Sequence, residues 1–411
     1  MKWLKSARVI CTAAALVAVV AVCGCAPSSP PGSVHFPDRN LEAVVREAIN
    51  KPSGPINISD LESLTSLEAK HRDIKNLEGL EYCTNLQMLH LQTNQISDIS
   101  PLGNLTSLVK LYLGENHLVN ISTLSELTGL EKIALWGNEI EDISPLSSLS
   151  NLKDLELSEN NIADLSTLSY LPALVNLSLS KNPIADLSPL SNLKNLEWLS
   201  LYHTQISDIS ALSSLTNLEG LGLEENNITD ISPLRSMEKL RLLGLTLNQI
   251  SDLSPLASLT NLSYLRLEVN DVSDLSPLSN LSTLENLYLE QNQVTDVSPL
   301  ANLTNLVKLY LEDNYITDVS PLSGLVNLET LVLNDNQIED VAPLAGLTEL
   351  VTLALMDNQI TDIKPLVDNS GLAAGDIIHL DRNPLSETSI NVYISQLRDR
   401  GVVVAYWISE N

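Results

Sequence analysis

The stretch from Leu306 to Leu325, L-V-K-L-Y-L-E-D-N-Y-I-T-D-V-S-P-L-S-G-L, is repeated with small changes along most of the chain at a spacing of 22 residues. Its ninth letter is an asparagine, which falls at Asn94, Asn116, Asn138, Asn160, Asn182, Asn226, Asn248, Asn270, Asn292, Asn314, Asn336 and Asn358, with Thr204 as the single break. A fixed period in this range means a stack of like coils, because one such unit cannot bury its apolar side chains alone.

The letters of the unit explain themselves. Leu306, Leu309, Leu311, Ile316, Val319, Leu322 and Leu325 are expected to share one interior. The alternation around Leu309 and Leu311 predicts a short parallel strand about 5 Å from the strand of the next coil. Asn314 sits where the chain leaves that strand, and its amide can satisfy turn groups that would otherwise be buried unpaired. In D-V-S-P-L, Ser320 is read as the cap of a short outer turn with Pro321 at its first position. An Asp four residues after the ladder position, as at Asp98, Asp142 and Asp318, is expected to accept backbone N–H groups before that turn, or else to take up a cation.

The pattern L-x-x-L-x-L-x-x-N followed by Ile or Val resembles the leucine-rich repeat. The resemblance implies an α/β solenoid, a horseshoe with parallel β-strands on the concave face, short turns and 3₁₀ pieces on the convex face, and a helical N-terminal cap. The array is expected over residues 64–385, about 15 coils, between a cap at 36–63 and a helix–strand cap at 386–411. Asp38 to Asn50 carries Leu41, Val44, Val45, Ala48 and Ile49 at helical spacing, with Asp38 placed to cap it. The first coil has Arg72 where the asparagine belongs.

Residues 1–24 read as an export signal: Lys2, Lys5 and Arg8 precede an apolar run from Val9 to Val22. Val22-Cys23-Gly24-Cys25 resembles the bacterial lipobox, which implies lipidation of Cys25 and attachment to a membrane of the cell envelope, facing the extracellular or periplasmic side. Residues 25–35 follow as a Pro/Ser tether. Cys83 is then left without a disulfide partner and is read as a small buried hydrophobe. Phe36-Pro37-Asp38-Arg39-Asn40-Leu41, the text N-Q-I-S-D-I-S-P-L and the 22-residue period together resemble the internalin group of bacterial surface proteins over about residues 36–385. That group implies an extracellular binding role through residues outside the consensus. No L-P-x-T-G sorting signal occurs in the 411 residues, and the N-terminal lipid is expected to take its place.

The chain carries 23 basic and 51 acidic residues, a net charge of −28, which disfavours a nucleic-acid partner. The histidines are scattered without ligand spacing, and no phosphate-cradling loop, G-x-S-x-G, H-E-x-x-H or C-x-x-C is present, so neither an enzyme nor a cofactor or metal site is expected. Aromatic residues are 4% of the chain, yet Tyr112, Trp136, Trp198, Tyr202, Tyr264, Tyr288 and Tyr310 all fall at strand positions predicted to face the concave side. Such residues on a rigid face are the anchors of an interface. The densest group is Tyr264, Arg266, Tyr288 and Tyr310, flanked by Glu268, Glu290 and Glu312, and the acidic row favours a basic protein partner. The expected function is a lipid-anchored receptor or adhesin, acting as a monomer. A glycan-binding face and a cation-loaded spacer are the alternatives.

Overall fold

Two leucines one residue apart place both side chains on the same side of an extended segment. In the computed structural model, which describes residues 32–407, that segment becomes a three-residue strand in coil after coil. Sixteen such strands, from Ser66–Glu68 to Val403–Ala405, pair in chain order in one parallel sheet. They stay in step: Leu287 pairs with Leu309, and Leu309 with Leu331. Beneath the sheet, Leu306, Leu309, Leu311, Ile316, Val319, Leu322 and Leu325 are fully buried, and their equivalents join one continuous core running the length of the array.

The asparagine column ties coil to coil. Asn314 Nδ2 donates to the carbonyls of Leu289, Leu311 and Glu312 at 3.0, 3.1 and 3.2 Å, and its Oδ1 accepts the Val294 N–H at 2.9 Å. The residue before the asparagine is held in the left-handed region, even the β-branched Val269 with φ 57°. At the break, Thr204 Oγ1 donates to Leu201 O and to Asn226 Oδ1, and the Ile184 N–H turns to Asn182 O within its own coil.

On the outer face, each coil makes a 3₁₀ turn such as Ser320–Gly324, and the coil that carries extra residues makes the short α-helix Lys364–Asp368. Ser320 is the first residue of its turn and does not cap it. The acceptor is Asp318, whose Oδ1 takes the Ser320 N–H at 2.7 Å and whose Oδ2 takes the hydroxyl at 2.9 Å. Asp98, Asp164, Asp186, Asp230, Asp252, Asp274 and Asp296 repeat both bonds. The N–H bonds, with the hydroxyl bonds beside them, hold the carboxyls of Asp186, Asp252 and Asp318 below the usual range.

The N-terminal end is closed by the helix Arg39–Ala48 and the short helix Ile58–Leu61. Two residues read as tether, Ser33 and Val34, instead pair antiparallel with Asn57 and Ile56, because Val34 packs partly buried against the cap core. Asp38 has two jobs. Its Oδ1 caps the helix through the N–H groups of Asn40 and Leu41 at 2.9 and 3.1 Å, and its Oδ2 accepts Lys75 and Asn76 of the first coil at 2.7 and 3.2 Å. Burial pulls this carboxyl upward, but those four donors, Lys75 first, outweigh it and hold it below the usual carboxylate range. Asp38→Ala is therefore expected to lower stability by about 2 kcal/mol in urea melts at neutral pH. A depressed carboxyl stabilises above its ordinary value and loses that contribution as pH falls. The difference between Asp38→Ala and the parent should accordingly begin to shrink as pH falls below about 4, and a difference that stays constant would contradict the assignment.

Cys83 is fully buried, and burial, followed by the nearby Glu81 charge, pushes its thiol up to about 12. At the C-terminal end, residues 387–399 form a helical segment with Ile394 and Leu397 buried, Gly401 takes φ 86°, and Val403–Ala405 adds the last strand of the sheet. Among the described residues, no helix is long and apolar enough to cross a membrane. The export signal, Cys25 and most of the tether lie outside the described residues.

Candidate partner-binding face

The residue between the two strand leucines stands on the concave side and meets its counterpart in the next coil at every step. Tyr288 therefore pairs with Tyr310, and their rings stack with centroids 4.8 Å apart and planes 20° apart. Tyr264 lies two residues before the inter-leucine position on its strand and packs against Tyr288 at 5.4 Å with a 48° tilt. The Arg266 guanidinium stands 5.9 Å from the Tyr288 ring centre. Burial, then the neighbouring Tyr264, pushes the Tyr288 hydroxyl up to about 12, which keeps it a neutral donor. These four residues form one half-buried platform over three adjacent strands.

The acidic row beside the platform is less uniform than its spacing suggests. Glu268 is only 8% exposed, which removes it as a direct contact for a partner. Its Oε1 accepts both Nε and Nη2 of Arg266 at 2.8 and 2.7 Å, and its Oε2 accepts the Thr246 hydroxyl at 2.6 Å. Glu268 thus positions Arg266. Glu312 accepts Asn334 Nδ2 at 3.0 Å. Glu290 stands between them, with Oε2 buried and without a hydrogen-bond partner among the described residues.

Burial, reinforced by the charges of Glu268 and Glu312, pushes the Glu290 carboxyl up to about 7. A carboxyl raised on folding favours the native state while protonated and penalises it once ionised. Its cost therefore grows as pH climbs from about 4.5 to 7. Glu290→Gln is expected to stabilise the protein by about 2 kcal/mol at pH 8.5 and by almost nothing at pH 5. Paired thermal melts check this, and equal shifts at the two pH values would contradict it.

The other aromatic residues are distributed along the array. Tyr112 packs against His90 with centroids 4.9 Å apart, and Lys132 Nζ stands 5.9 Å from the Tyr112 ring. Trp136 lies over Gly114, where any Cβ would collide with the indole. Tyr202 donates its hydroxyl to Glu225 Oε1 at 2.8 Å, and Lys181 Nζ stands 5.9 Å from its ring. Neither Tyr112, Trp136 nor Tyr202 touches the tyrosine platform.

Between these groups lies a feature that the aromatic count passes over, a trough of about 540 Å³ across the middle of the concave face. It exists because the inter-leucine position is occupied by Ser178, Ser200, Gly222 and Gly244 on four successive strands. Trp198, 43% exposed, lies over Gly220 at one side. Across the trough, the Glu224 carboxylate leans over the position where Gly244 lacks a side chain. A glycine in a strand marks a place where another group approaches closely, and that signal was available at Gly220, Gly222 and Gly244. Among the described residues, no three or more His, Cys, Asp or Glu side chains converge as for a metal ion.

Two family models match parts of the array. "Leucine Rich repeats (2 copies)" matches residues 194–236, 282–324 and 326–368, and "Leucine rich repeat" matches 128–184. No curated protein matches the chain. Among solved structures, an internalin (inlF) from Listeria monocytogenes is 40% identical, covering 79% of this chain and 95% of that one, with a TM-score of 0.75. A leucine-rich-repeat protein of Leptospira interrogans is 24% identical, covering 85% and 97%, with a TM-score of 0.77. The functional domain of InlJ from Listeria monocytogenes is also 24% identical, covering 84% and 81%, with a TM-score of 0.70, and these last two share the fold. With 40% identity across nearly all of a solved internalin and an unbroken register of coils, the chain belongs to the internalin-like leucine-rich-repeat proteins.

Proposed function

We propose that the protein is a lipid-anchored cell-surface receptor or adhesin that binds a basic protein partner through its concave face. The observation that carries this reading is the tyrosine platform, Tyr264, Tyr288 and Tyr310, with Arg266 beside it and Glu290 and Glu312 along its edge. Three half-buried rings on a rigid sheet give contact area at little cost in ordering, and anchors of this kind dominate interface energies. The surrounding acidity favours encounter with a cationic surface. The lipobox at Val22 to Cys25 supports anchoring, and membership of an internalin-like family supports display outside the cell.

The test uses residues 26–411 as soluble bait, cross-linked to envelope and surface extracts beside a Tyr288→Ala, Tyr310→Ala variant that still melts cooperatively. A protein held by the parent and lost by the variant supports the reading, and capture that survives the change removes the platform from it. The flat stacked rings also suit a sugar, so the second reading is a glycan-binding face. Displacement of the captured material by free sugar would establish that reading instead. For the anchor, Cys25→Ser is expected to end incorporation of labelled fatty acid and to move the protein out of the membrane fraction. Labelling that persists in Cys25→Ser would place the lipid elsewhere.

A further inference from the structure

The trough next to the platform has two unlike walls. Its floor follows one register position through six neighbouring strands, Glu156, Ser178, Ser200, Gly222, Gly244 and Arg266. Both ends are closed by satisfied ion pairs: Glu156 holds Lys132 at 3.0 Å, and Arg266 is held by Glu268 at 2.7 Å. The floor serines are committed as well, since Ser178 Oγ bonds Ser158 at 2.6 Å and Ser200 Oγ bonds Ser180 at 2.7 Å. Neither floor nor ends therefore offer an unmet charge.

One wall is apolar. Trp198, Gly220, Leu242 and Tyr264 form a parallel row, with Trp198 43% and Leu242 38% exposed. The opposite wall is polar and carries Glu224, whose carboxylate has neither a hydrogen-bond nor an ion-pair partner among the described residues. On the two earlier strands the Trp198 row continues as Asn176 and Asp154, which bond each other, so the apolar part of that wall runs from Trp198 to Tyr264. From Glu156 to Arg266 is five inter-strand steps, roughly 24 Å at about 4.8 Å each. A segment in extended conformation rises about 3.3 Å per residue, so about seven residues span the trough and about six cover most of it, their side chains alternating between its two walls.

We propose that the trough receives an extended segment of the partner protein in which apolar and basic residues alternate, the apolar ones against Trp198, Leu242 and Tyr264 and a lysine or arginine on Glu224. This rests on the concave-face reading and names the partner's chemistry. An apolar-only strand would bury Glu224 with no cation in contact and only the more distant Arg266, itself paired with Glu268, to offset its charge, and an acidic one would be repelled by it. The missing Cβ at Gly222 lets the segment's backbone approach the sheet, and the space that a Cβ would take at Gly244 is held by the Glu224 carboxylate that receives the basic residue.

The probes are two peptides of equal composition, one alternating leucine and lysine over six residues and one with three leucines followed by three lysines. Their binding to the full array, residues 26–411, is measured by calorimetry at physiological salt. The alternating peptide is expected to bind at least 10-fold more tightly than the block peptide. Gly222→Tyr fills the trough with the residue that the same position carries at Tyr288 and Tyr310, so the fold is expected to tolerate it. It should abolish the preference, and Glu224→Gln should reduce it at least 5-fold with an unchanged melting temperature. Equal affinity for the two peptides, or a preference that survives Gly222→Tyr, overturns the proposal. A partner protein retained by Gly222→Tyr but lost by the Tyr288→Ala, Tyr310→Ala variant would remove the trough and leave the concave-face reading standing.

Discussion

Asn314→Leu is expected to lower the stability of the array by about 3–5 kcal/mol, although the two side chains are close in size. The asparagine makes four hydrogen bonds, and the two that cross coils, to Leu289 O and from Val294 N, involve fully buried residues. Leucine leaves that carbonyl and that N–H without partners, and each orphaned buried group costs about 1–3 kcal/mol. It also strips the side-chain bonds to Leu311 O and Glu312 O from a turn whose Asp313 is in the left-handed region, φ 54°, leaving the backbone bonds from Asp313 N and Tyr315 N to hold it. Because each coil contacts only its neighbours, a weakened coil uncouples the two halves of the stack. Urea unfolding should therefore show a lower midpoint together with a shallower or split transition. Thr204 provides an internal comparison: that coil survives without asparagine because the threonine hydroxyl and the redirected Ile184 N–H rebuild part of the network. A cost below about 1 kcal/mol for Asn314→Leu, less than one orphaned group, would show that the column does not hold the coils together.

The Tyr288→Ala, Tyr310→Ala pair is expected to weaken partner binding by about 100-fold. Truncating one buried aromatic anchor costs about 2 kcal/mol or more. The rings touch at 4.8 Å, so the two losses overlap, and about 3 kcal/mol for the pair is the reasonable sum. Stability should change little, because Leu287, Leu289, Leu309 and Leu311 point to the other face of the sheet from the rings and are fully buried in the core there. Titration of the purified partner against parent and variant measures the ratio, and a loss smaller than about 3-fold, under 1 kcal/mol, would remove these rings as anchors.

The parts of this structure that repeat were legible in the sequence. A position that recurs every 22 residues has the same neighbour at every step, so the leucine core, the asparagine column and the separation of Tyr288 and Tyr310 all follow from the period. What was hidden depends on side chains reaching between positions. Glu268 reads as an exposed acid in its column, yet Arg266 on its own strand and Thr246 one coil away consume its oxygens and bury it. Ser320 reads as a helix cap, but Asp318 two residues earlier is the better acceptor and takes the serine as its donor. Val34 belongs to a Pro/Ser-rich stretch, and its pairing with Ile56 is fixed by a strand more than twenty residues away. The trough was hidden for another reason: it is made by absent side chains at Gly222 and Gly244, whereas a search for binding residues looks for large ones.

The central claim is that a partner sits on the concave face over the tyrosine platform. Hydrogen–deuterium exchange of the array with and without its captured partner tests this directly. The account predicts slowed exchange in and just after the strands Tyr264–Arg266, Asn286–Tyr288 and Lys308–Tyr310, with the outer turns Ser276–Leu278, Ser298–Leu300 and Ser320–Gly324 unchanged. Protection confined to those outer turns, or to the caps, would contradict it.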